Sequence, residues 1–285
     1  MTTPTGVGTT VHVLGADGML GRAWTELLTR QRVPHDTRTH PDFDLTARQH
    51  VEALPLVAGD VVVNCAAWTD VDGAERDEAG ATAVNADGVG VLASRCQRAG
   101  ATLVHYSTDY VFDGQAQVPY AVDAAHAPLA AYGRSKALGE RRLFAAGGSY
   151  LLVRTSWLYA PWGHNFVRTI AKAARERESL RVVDDQRGRP TSAEHLAEAS
   201  WRLLQSGTRG ITHVTDAGEC TWFHFASAIA AAVAPSCRVE PCTSAEFPRP
   251  ARRPAYSVLD LARTEAILGA MPSWQRNLTD VLTRL

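Results

Sequence analysis

Tyr132 and Lys136 are the two side chains in this sequence best suited to proton transfer, and they lie four residues apart. That spacing places both on one face of a helix. A phenol with its ordinary pKa of about 10 is a poor acid–base catalyst at neutral pH, and a nearby ammonium lowers that pKa. We therefore expect Lys136 to lower the pKa of Tyr132. Taken alone, the pair also fits two side chains on a solvated helix surface.

Thr108 provides a hydroxyl at a position where a ligand is expected. It follows a predicted strand over residues 102–106. The carboxyl ends of parallel strands form the ligand crevice of an open α/β sheet. A threonine hydroxyl at this edge can orient and polarise a carbonyl group, so Thr108 joins Tyr132 and Lys136 as a candidate for chemistry.

A glycine-rich loop over residues 15–21 separates the first predicted strand from the first predicted helix. Glycines permit a tight turn and close backbone approach, and a helix N-terminus offers amide groups to a pyrophosphate. A strand before the loop and a helix after it favour dinucleotide binding over an ordinary turn. The predicted cofactor contacts in the loop are Gly15, Asp17, Gly18, Met19, Leu20 and Gly21.

The type of cofactor is predicted from residues 33–40, where the second strand should end. An acid at this point binds the ribose 2′-hydroxyl of NAD, whereas an arginine accommodates the 2′-phosphate of NADP. Both kinds of side chain are present, as Asp36 and Arg38. We expect NADPH, bound through Arg38, with NADH as the alternative.

The elements that must position these residues alternate between strands and helices, as judged from apolar runs and helical spacing. The order is strand 11–14, helix 21–29, strand 61–63, one or two helices within 75–98, strand 102–106, helix 132–144 and strand 150–154. Such alternation is typical of βαβ units. It predicts a doubly wound, parallel α/β sheet of the Rossmann type.

The second half of the chain has a different pattern. A helix is predicted over residues 192–204 and a strand over residues 210–214, and five prolines lie within residues 235–254. We expect a dinucleotide-binding domain over residues 10–155 and a smaller C-terminal α/β substrate-binding unit over residues 156–285. We further expect the chain around residues 190–215 to return to the first domain.

Composition excludes several classes of protein. Hydrophobic residues make up 45% and charged residues 21% of the 285 residues, which is ordinary globular composition. The net charge of −1 without a basic stripe argues against nucleic-acid binding. The apolar stretch at residues 225–235 is too short to span a bilayer, and the first ten residues lack the features of a signal peptide.

The five cysteines, Cys65, Cys96, Cys220, Cys237 and Cys242, include no C-x-x-C pair. Their odd number and their spacing argue against a thiol metal site and against a disulfide framework. Unpaired thiols are typical of a reducing compartment. We therefore expect a cytoplasmic protein.

With these features the chain resembles the extended short-chain dehydrogenase/reductases, and among them the dTDP-4-dehydrorhamnose reductases. The resemblance spans nearly the whole chain, and its stretches at 105–112 and 154–159 are more specific than the glycine loop. The matching segments are 15–21, 63–75, 84–85, 105–114, 132–140, 154–159, 165–166, 185–191 and 252–254.

The resemblance implies NADPH-dependent reduction of the C4 ketone of a dTDP-4-keto-6-deoxysugar. It implies that Tyr132 donates the proton, that Lys136 lowers the pKa of Tyr132, and that Thr108 holds the C4 carbonyl. Further implied contacts are those of Ala66, Ala67, Asn85, Tyr132 and Lys136 with the cofactor, of Thr108, Asp109, Tyr110 and Trp157 with the sugar, and of Asn165 and Arg253 with the nucleotide diphosphate. Simpler roles are a core position for Trp157, a loop cap for Asn165 and a solvated charge for Arg253.

Some members of this family dimerise through a magnesium site built from acidic side chains. Here Ala23 stands where one ligand is expected, and Glu194 matches another ligand position. We therefore predict no metal, and a monomer or a weak homodimer.

Two other functions fit the same residues. An epimerase or dehydratase on this scaffold retains its cofactor and needs further acid–base groups, so stoichiometric release of oxidised cofactor would distinguish it from a reductase. A non-catalytic, NADP-binding regulatory subunit, similar to that of methionine adenosyltransferase, would show no turnover of any nucleotide sugar. A shared fold does not decide among these functions.

Overall fold

Six parallel strands form the central sheet of the computed structural model, which describes residues 9–285. In chain order, the strands of this part are β1 (Val11–Leu14), β2 (His35–Arg38), β3 (Val61–Asn64), β4 (Thr102–Thr108), β5 (Ser149–Thr155), β6 (Leu158–Tyr159), β7 (Ser179–Val183), β8 (Arg187–Gly188), β9 (Thr191–Ser192), β10 (Gly210–His213), β11 (Cys220–Thr221) and β12 (Arg238–Cys242). The α-helices are α1 (Met19–Arg30), α2 (Arg48–Glu52), α3 (Val71–Arg76), α4 (Glu78–Thr82), α5 (Val89–Ala99), α6 (Ala131–Ala146), α7 (Phe166–Glu176), α8 (Ala193–Gln205), α9 (Trp222–Val233), α10 (Ala262–Leu268) and α11 (Trp274–Leu282).

The strand order in the central sheet is β10-β5-β4-β3-β1-β2, and every neighbouring pair is parallel. The chain first moves outward from β1 to β2 and then returns to the other side of β1 with β3. This reversal leaves a crevice outside the carboxyl ends of β1 and β3, where doubly wound sheets bind ligands. The predicted doubly wound α/β fold is therefore confirmed.

Alternate side chains of each central strand enter two separate cores, because successive residues of a strand point to opposite faces. Val61 and Val63 pack toward α1 and α8, whereas Val62 packs toward α5 and α6. Since both faces of the sheet are covered, β3 begins with three consecutive buried valines rather than alternating apolar and polar residues.

A third core, smaller than the one beside α1 and α8, lies among α7, α9 and α11, beside the parallel pair β7 and β12. Phe225 is fully buried there, with the ring of Trp274 edge-on to it at 5.6 Å. Two elements from the second half of the chain, β10 and α8, lie with the central sheet and not with this core. Strand β10 pairs with β5, and Trp201 of α8 meets Trp24 of α1 edge-on at 6.2 Å. The domain boundary near residue 155 stays a prediction.

The predicted helical stretch over residues 75–98 is more divided than the sequence pattern indicates. It consists of α3, α4, a π-helical segment (Ala83–Gly88) and α5. Asp70 and Asp77 accept hydrogen bonds from the amides of Gly73 and Gly80 and so cap α3 and α4. Each of these caps begins a separate helix, so the stretch is not one continuous helix. The predicted stop at Gly100 is confirmed, since Gly100 adopts the left-handed conformation with φ +70°.

The apolar stretch at residues 225–235 forms most of α9 and the residues that follow it. Phe225 and Ile229 of this helix face the third core and are completely buried. Among the helices of the described part of the chain, none is both long enough and apolar enough to cross a membrane.

Candidate active site

The glycine-rich loop is tightly enclosed by the ends of two neighbouring strands. Gly15 has φ +72°, and a Cβ on it would lie 2.7 Å from the amide nitrogen of Ala66, directly after β3. A Cβ on Gly21 would lie 2.0 Å from the carbonyl oxygen of Gly15. On the other side, the amides of Gly15 and Ala16 donate to the Arg38 carbonyl, at 2.9 and 3.1 Å. The loop backbone is therefore fixed, and only glycine fits at both positions.

Helix α1 begins directly after this loop, and its N-terminus is suited to an anion. Gly18 is the N-cap residue and carries no side chain that could cap the first amides. Those amides and the helix dipole favour a negative group such as a pyrophosphate. Asp17 and Gly18 are exposed, whereas Leu20 is buried, so Leu20 can contact a ligand only through its backbone. The loop thus fits a dinucleotide.

Asp36 and Arg38 lie at the end of β2, beside the glycine loop. The Arg38 guanidinium donates to Asp36 Oδ2 at 2.9 Å, and both side chains are partly exposed. The acid and the arginine therefore form one ion pair rather than two independent groups.

Asn85 fixes the loop that follows β3 instead of pointing into the crevice. It is buried in the π-helical segment, where its Oδ1 accepts from the Trp68 amide at 3.0 Å. Its Nδ2 donates to the Trp68 carbonyl and to Ser135 Oγ, both at 3.0 Å. Both amide hydrogens are therefore used within the protein. Asn85 positions the loop containing Ala66 and Ala67 against α6, and its contact with the cofactor stays a prediction.

Thr108, Tyr132 and Lys136 come together at the carboxyl end of β4. Thr108 ends β4 and is buried, and its hydroxyl donates to Asp109 Oδ1 at 2.9 Å and lies near the Tyr132 side chain. Lys136 is buried one helical turn after Tyr132, and its Nζ donates to the Tyr106 carbonyl at 2.6 Å. Gly133 allows this close approach of α6, because a Cβ there would lie 2.2 Å from the carbonyl oxygen of Tyr110.

The pKa of Tyr132 is raised, so the expectation that Lys136 lowers it is wrong. Burial around the Tyr132 hydroxyl raises this pKa, the Asp109 charge raises it further, and the contact with Thr108 offsets only part of the effect. The Lys136 ammonium, which donates to the Tyr106 carbonyl, does not offset this rise. Tyr132 is consequently held as the protonated phenol, which is the form that a proton donor requires.

Lys136 belongs to a charged network on the same face of α6. Burial lowers the pKa of Lys136 to about 8, and the charge of Glu140, one turn further on, limits the fall. Although burial alone would raise the pKa of Glu140, hydrogen bonds from Arg154 and His126 hold it at about 2. Arg154 donates to both Glu140 oxygens at 2.9 and 2.6 Å, and Ser107 donates to one at 2.5 Å. Glu140 and Arg154 are completely enclosed.

Sequence reasoning gave no role to Glu140, although a signal was present. Glu140 lies four residues after Lys136 and eight after Tyr132, so all three share one helix face. A carboxylate on the apolar face of a buried helix needs a partner. The partner, Arg154, comes from the neighbouring strand β5 and is visible only in the fold.

Asp109 and Tyr110 follow Thr108 and line the same crevice. Burial raises the pKa of Asp109 to about 6, although the Ser257 and Thr108 hydroxyls stabilise its charge. The Tyr110 ring meets the Tyr132 ring edge-on at 5.8 Å. Both residues predicted for the sugar pocket thus lie beside Thr108 and Tyr132.

Trp157 is held in an unusual backbone conformation. Its φ of +48° lies in the left-handed region, which is costly for a residue with a Cβ. The indole stacks on Trp222 at 3.6 Å, and a Cβ on Gly188 would lie 2.7 Å from the indole ring. Partly exposed and strained, Trp157 is more than a core residue. This geometry is compatible with its predicted place in the sugar pocket.

Asn165 caps helix α7. Its Oδ1 accepts from the Arg168 amide at 3.2 Å, and its Nδ2 donates to the Ala160 and Trp162 carbonyls at 2.9 and 3.1 Å. No side-chain hydrogen of Asn165 is left for a diphosphate, so the predicted substrate contact is not supported. The simpler role as a loop cap describes its side chain.

Arg253 is held near Tyr110 by a carboxylate from another part of the chain. Asp72, in the first turn of α3, lies 3.0 Å from Arg253 Nη2 and 2.9 Å from Arg249 Nη2. The amide of Ala251 also donates to Asp72 at 3.1 Å. Asp72 therefore fixes the segment of residues 249–253 beside the crevice. Sequence reasoning missed Asp72 and Arg249, since residue 72 and residues 249–253 are far apart in the chain.

Comparison with known proteins identifies the family. The family model described as the RmlD substrate binding domain matches residues 9–285. The chain belongs to this family. It is 43% identical to a dTDP-4-dehydrorhamnose reductase of Burkholderia thailandensis, over 93% of this chain and 95% of that protein. It is 40% identical to a dTDP-4-keto-6-deoxy-D-glucose reductase of Streptomyces niveus, over 96% of each chain.

A solved structure supports the same relationship. The dTDP-4-dehydrorhamnose reductase of Bacillus anthracis, in complex with NADP, superimposes with a TM-score of 0.91 and 34% sequence identity. The match covers 97% of this chain and 99% of that chain. The resemblance drawn from the motifs is therefore confirmed over the whole described length.

The residues at the magnesium position of some RmlD-family members do not fit a metal in this chain. Ala23 is apolar and buried. Glu194 is bound through both of its carboxylate oxygens to the Arg284 guanidinium, one of them at 3.0 Å from Nη1. Across residues 9–285, no three His, Cys, Asp or Glu side chains are grouped to hold a metal ion.

Proposed function

We propose that this chain reduces the C4 ketone of a dTDP-4-keto-6-deoxysugar, with NADPH as the hydride donor. One observation carries the proposal: Thr108, Tyr132 and Lys136 converge at the carboxyl end of β4. The glycine loop lies at the same edge of the sheet. The two relatives described above, both named as reductases of dTDP-4-keto sugars, align with more than nine-tenths of the length of this chain.

The cofactor site is formed by backbone more than by side chains. Met19 and the next residues of α1 supply the amides for the pyrophosphate, and Gly15 and Gly18 allow its close approach. Lys136 is the proposed side-chain contact with the cofactor. NADPH supplies the hydride when it is bound. Arg38 is the proposed partner of the 2′-phosphate, with NADH as the alternative cofactor.

Tyr132 is the proposed proton donor to the C4 oxygen. The raised pKa of Tyr132 keeps its Oη protonated at neutral pH, so the proton is available when negative charge develops on the ketone oxygen. Thr108 orients the ketone, because its hydroxyl lies near the Tyr132 side chain and is itself fixed by Asp109. The Lys136 ammonium adds positive charge below the reacting oxygen.

Substrate binding is assigned to two groups of residues. Asp109, Tyr110 and Trp157 line the place of the sugar, and Arg253 binds the diphosphate. A guanidinium is well suited to this task, since charge-assisted contacts to phosphate are stronger than neutral hydrogen bonds. Asp72 keeps Arg253 pointing across the crevice.

The experiment is turnover of the purified chain with NADPH and a panel of dTDP-4-keto-6-deoxysugars. We expect one equivalent of NADP to form for each equivalent of sugar reduced. Turnover without net oxidation of NADPH would indicate an epimerase or dehydratase instead. Binding of NADPH without turnover of any sugar in the panel would favour the regulatory-subunit function.

A further inference from the structure

His12 is a buried imidazole in the middle of β1, between the apolar residues Val11 and Val13. Each of its ring nitrogens faces a carboxylate. Nδ1 lies 2.7 Å from Asp36 Oδ1, as an ion-pair contact, and Nε2 lies 3.2 Å from Asp60 Oδ2. A buried histidine with a purely structural role would not need a carboxylate at each of its ring nitrogens.

Asp60 contacts the His12 ring and is itself held by two backbone amides. It accepts the Thr10 amide and the Val57 amide, both at 2.9 Å. Burial alone would raise the pKa of Asp60, but these amides and His12 outweigh it and lower the pKa. Asp60 is therefore ionised and fixes the ring orientation. Because both ring nitrogens face carboxylate oxygens, which only accept hydrogen bonds, the ring compensates Asp36 in the form that carries a proton on Nδ1 as well as on Nε2.

Asp36 connects the buried His12 ring with Arg38, which is partly exposed at the surface. Strand register pairs His12 with Asp36 and Leu14 with Arg38, so these side chains lie on one face of the sheet. Asp36 gives Oδ1 to the imidazole and Oδ2 to the Arg38 guanidinium, at 2.9 Å. The side chains of Asp36 and Arg38 are 34% and 41% exposed, so a ligand beside the glycine loop can reach both.

Asp36 and Arg38 make opposite demands on a cofactor. A carboxylate at this position accepts the ribose 2′-hydroxyl of NADH, but it repels the 2′-phosphate of NADPH. The Arg38 guanidinium can bind the 2′-phosphate only to the extent that it is not already engaged by the Asp36 carboxylate. Arg38 donates to Asp36 through Nη2, and its side chain is 41% exposed, so part of the guanidinium can still be reached by a phosphate.

We propose that His12 is a positioning residue that sets the choice between NADPH and NADH, by compensating the charge of Asp36 and leaving Arg38 to the 2′-phosphate. The inference rests on the proposed function only in requiring a nicotinamide cofactor at the glycine loop. His12 itself touches no cofactor atom. Its effect passes through Asp36 and Arg38.

The test is the ratio of the NADPH and NADH dissociation constants, measured by calorimetry on the full chain without any sugar. Asp36→Asn releases Arg38 and removes the acceptor for the 2′-hydroxyl, so it shifts the ratio toward NADPH by on the order of tenfold. His12→Leu leaves Asp36 uncompensated and shifts the ratio toward NADH by about five- to tenfold. In the Asp36→Asn background, His12→Leu leaves the ratio unchanged, because the coupling passes through Asp36.

Two further variants keep the result interpretable. Arg38→Ala weakens NADPH more than NADH and shows that the assay detects the 2′-phosphate contact. His35→Leu removes a neighbouring histidine that contacts the Val33 carbonyl and Thr29 but not Asp36, and leaves the ratio as in wild type. The ratio is insensitive to a general loss of stability, which would weaken both cofactors alike.

An unchanged ratio in Asp36→Asn overturns the inference, and this variant does not depend on His12→Leu folding, since Asp36 is partly exposed. Equal effects of His12→Leu with and without Asp36→Asn also overturn it. A wild-type chain that binds neither cofactor contradicts the proposed function instead, so the two failures are distinguishable.

Discussion

The end of β4 and the segment of residues 249–253 would act on the same substrate, but they are built differently. Thr108 and Lys136 are buried, and their polar atoms are bound to backbone or to neighbouring side chains. By contrast, Arg249 and Arg253 depend on one carboxylate, that of Asp72, and Arg249 is 52% exposed. One region is a rigid buried network, and the other is an ion-paired segment in which Arg249 is exposed and Arg253 is 16% exposed.

The difference separates chemistry from substrate binding. Buried groups keep their geometry and their shifted pKa values because little can rearrange around them. Exposed ion pairs are weak and are screened by salt, so their partners can be exchanged for a charged ligand. We therefore expect variants at the end of β4 to act on kcat, and variants in residues 249–253 to act on KM.

The largest expected effect is that of Tyr132→Phe. This change removes only the hydroxyl and should lower kcat by about 10²–10⁴, the usual contribution of a positioned proton donor. NADPH affinity and the unfolding midpoint should stay close to those of wild type. Steady-state kinetics and a calorimetric titration measure these quantities.

Tyr150→Phe is the matched control, because Tyr150 lies at the start of β5, at the opposite end of that strand from the crevice. It should leave kcat unchanged. Near wild-type turnover by Tyr132→Phe would remove Tyr132 from the reaction and would contradict the division between the two regions.

Glu140→Ala tests the rigidity of the buried network. Removing one partner of a buried ion pair leaves the Arg154 charge uncompensated, so the free energy of unfolding should fall by about 3–5 kcal/mol. Chemical denaturation measures this loss. Glu176→Ala breaks an exposed pair with Lys172 and should change stability by less than about 0.5 kcal/mol. Similar losses of stability in Glu140→Ala and Glu176→Ala would contradict the difference drawn between buried and exposed ion pairs.

Arg253→Ala tests the ion-paired segment of residues 249–253. A charge-assisted contact with phosphate contributes about 1.5–3 kcal/mol, so KM for the nucleotide sugar should rise by on the order of tenfold or more. The value of kcat should change little, and the wild-type KM should rise with ionic strength. Arg252→Ala, an exposed neighbour, is the control and should leave KM unchanged. A loss confined to kcat would move Arg253 into the chemical region.

The smallest expected effect concerns pH. Because burial lowers the pKa of Lys136 to about 8, its ammonium is present below that pH and is lost above it. The rate should therefore fall as pH rises through about 8, by about tenfold per unit. Lys136→Arg should move this limb to higher pH, since a guanidinium keeps its proton. A limb that stays in place in Lys136→Arg would assign it to another group.

Local signals made much of the site predictable. The glycine loop, the Tyr132–Lys136 spacing and the position of Thr108 after a strand all depend on residues close in the chain, and the fold brings them together as expected. Contacts between distant segments were not predictable in this way. Asp72 meets Arg253 from a position 181 residues earlier, and Glu140 meets Arg154 only because β5 lies beneath α6.

Burial was the other missing quantity. Spacing places Lys136 near Tyr132, but it does not reveal that the ammonium donates to the Tyr106 carbonyl or that the phenol is enclosed. The expected lowering of the Tyr132 pKa failed for this reason. Asn85 and Asn165 fit the family motifs in sequence, yet their amides are used in local hydrogen bonds that spacing alone does not show.

The central claim is reduction at C4 of a dTDP-4-keto-6-deoxysugar, and hydride tracing tests it most directly. NADPH deuterated at the transferred position of the nicotinamide is incubated with the chain and the sugar, and the product is examined by NMR. The account predicts one deuterium at C4 of the sugar alcohol for each NADP formed. A product without deuterium at C4, or deuterium returned to the cofactor, would contradict it.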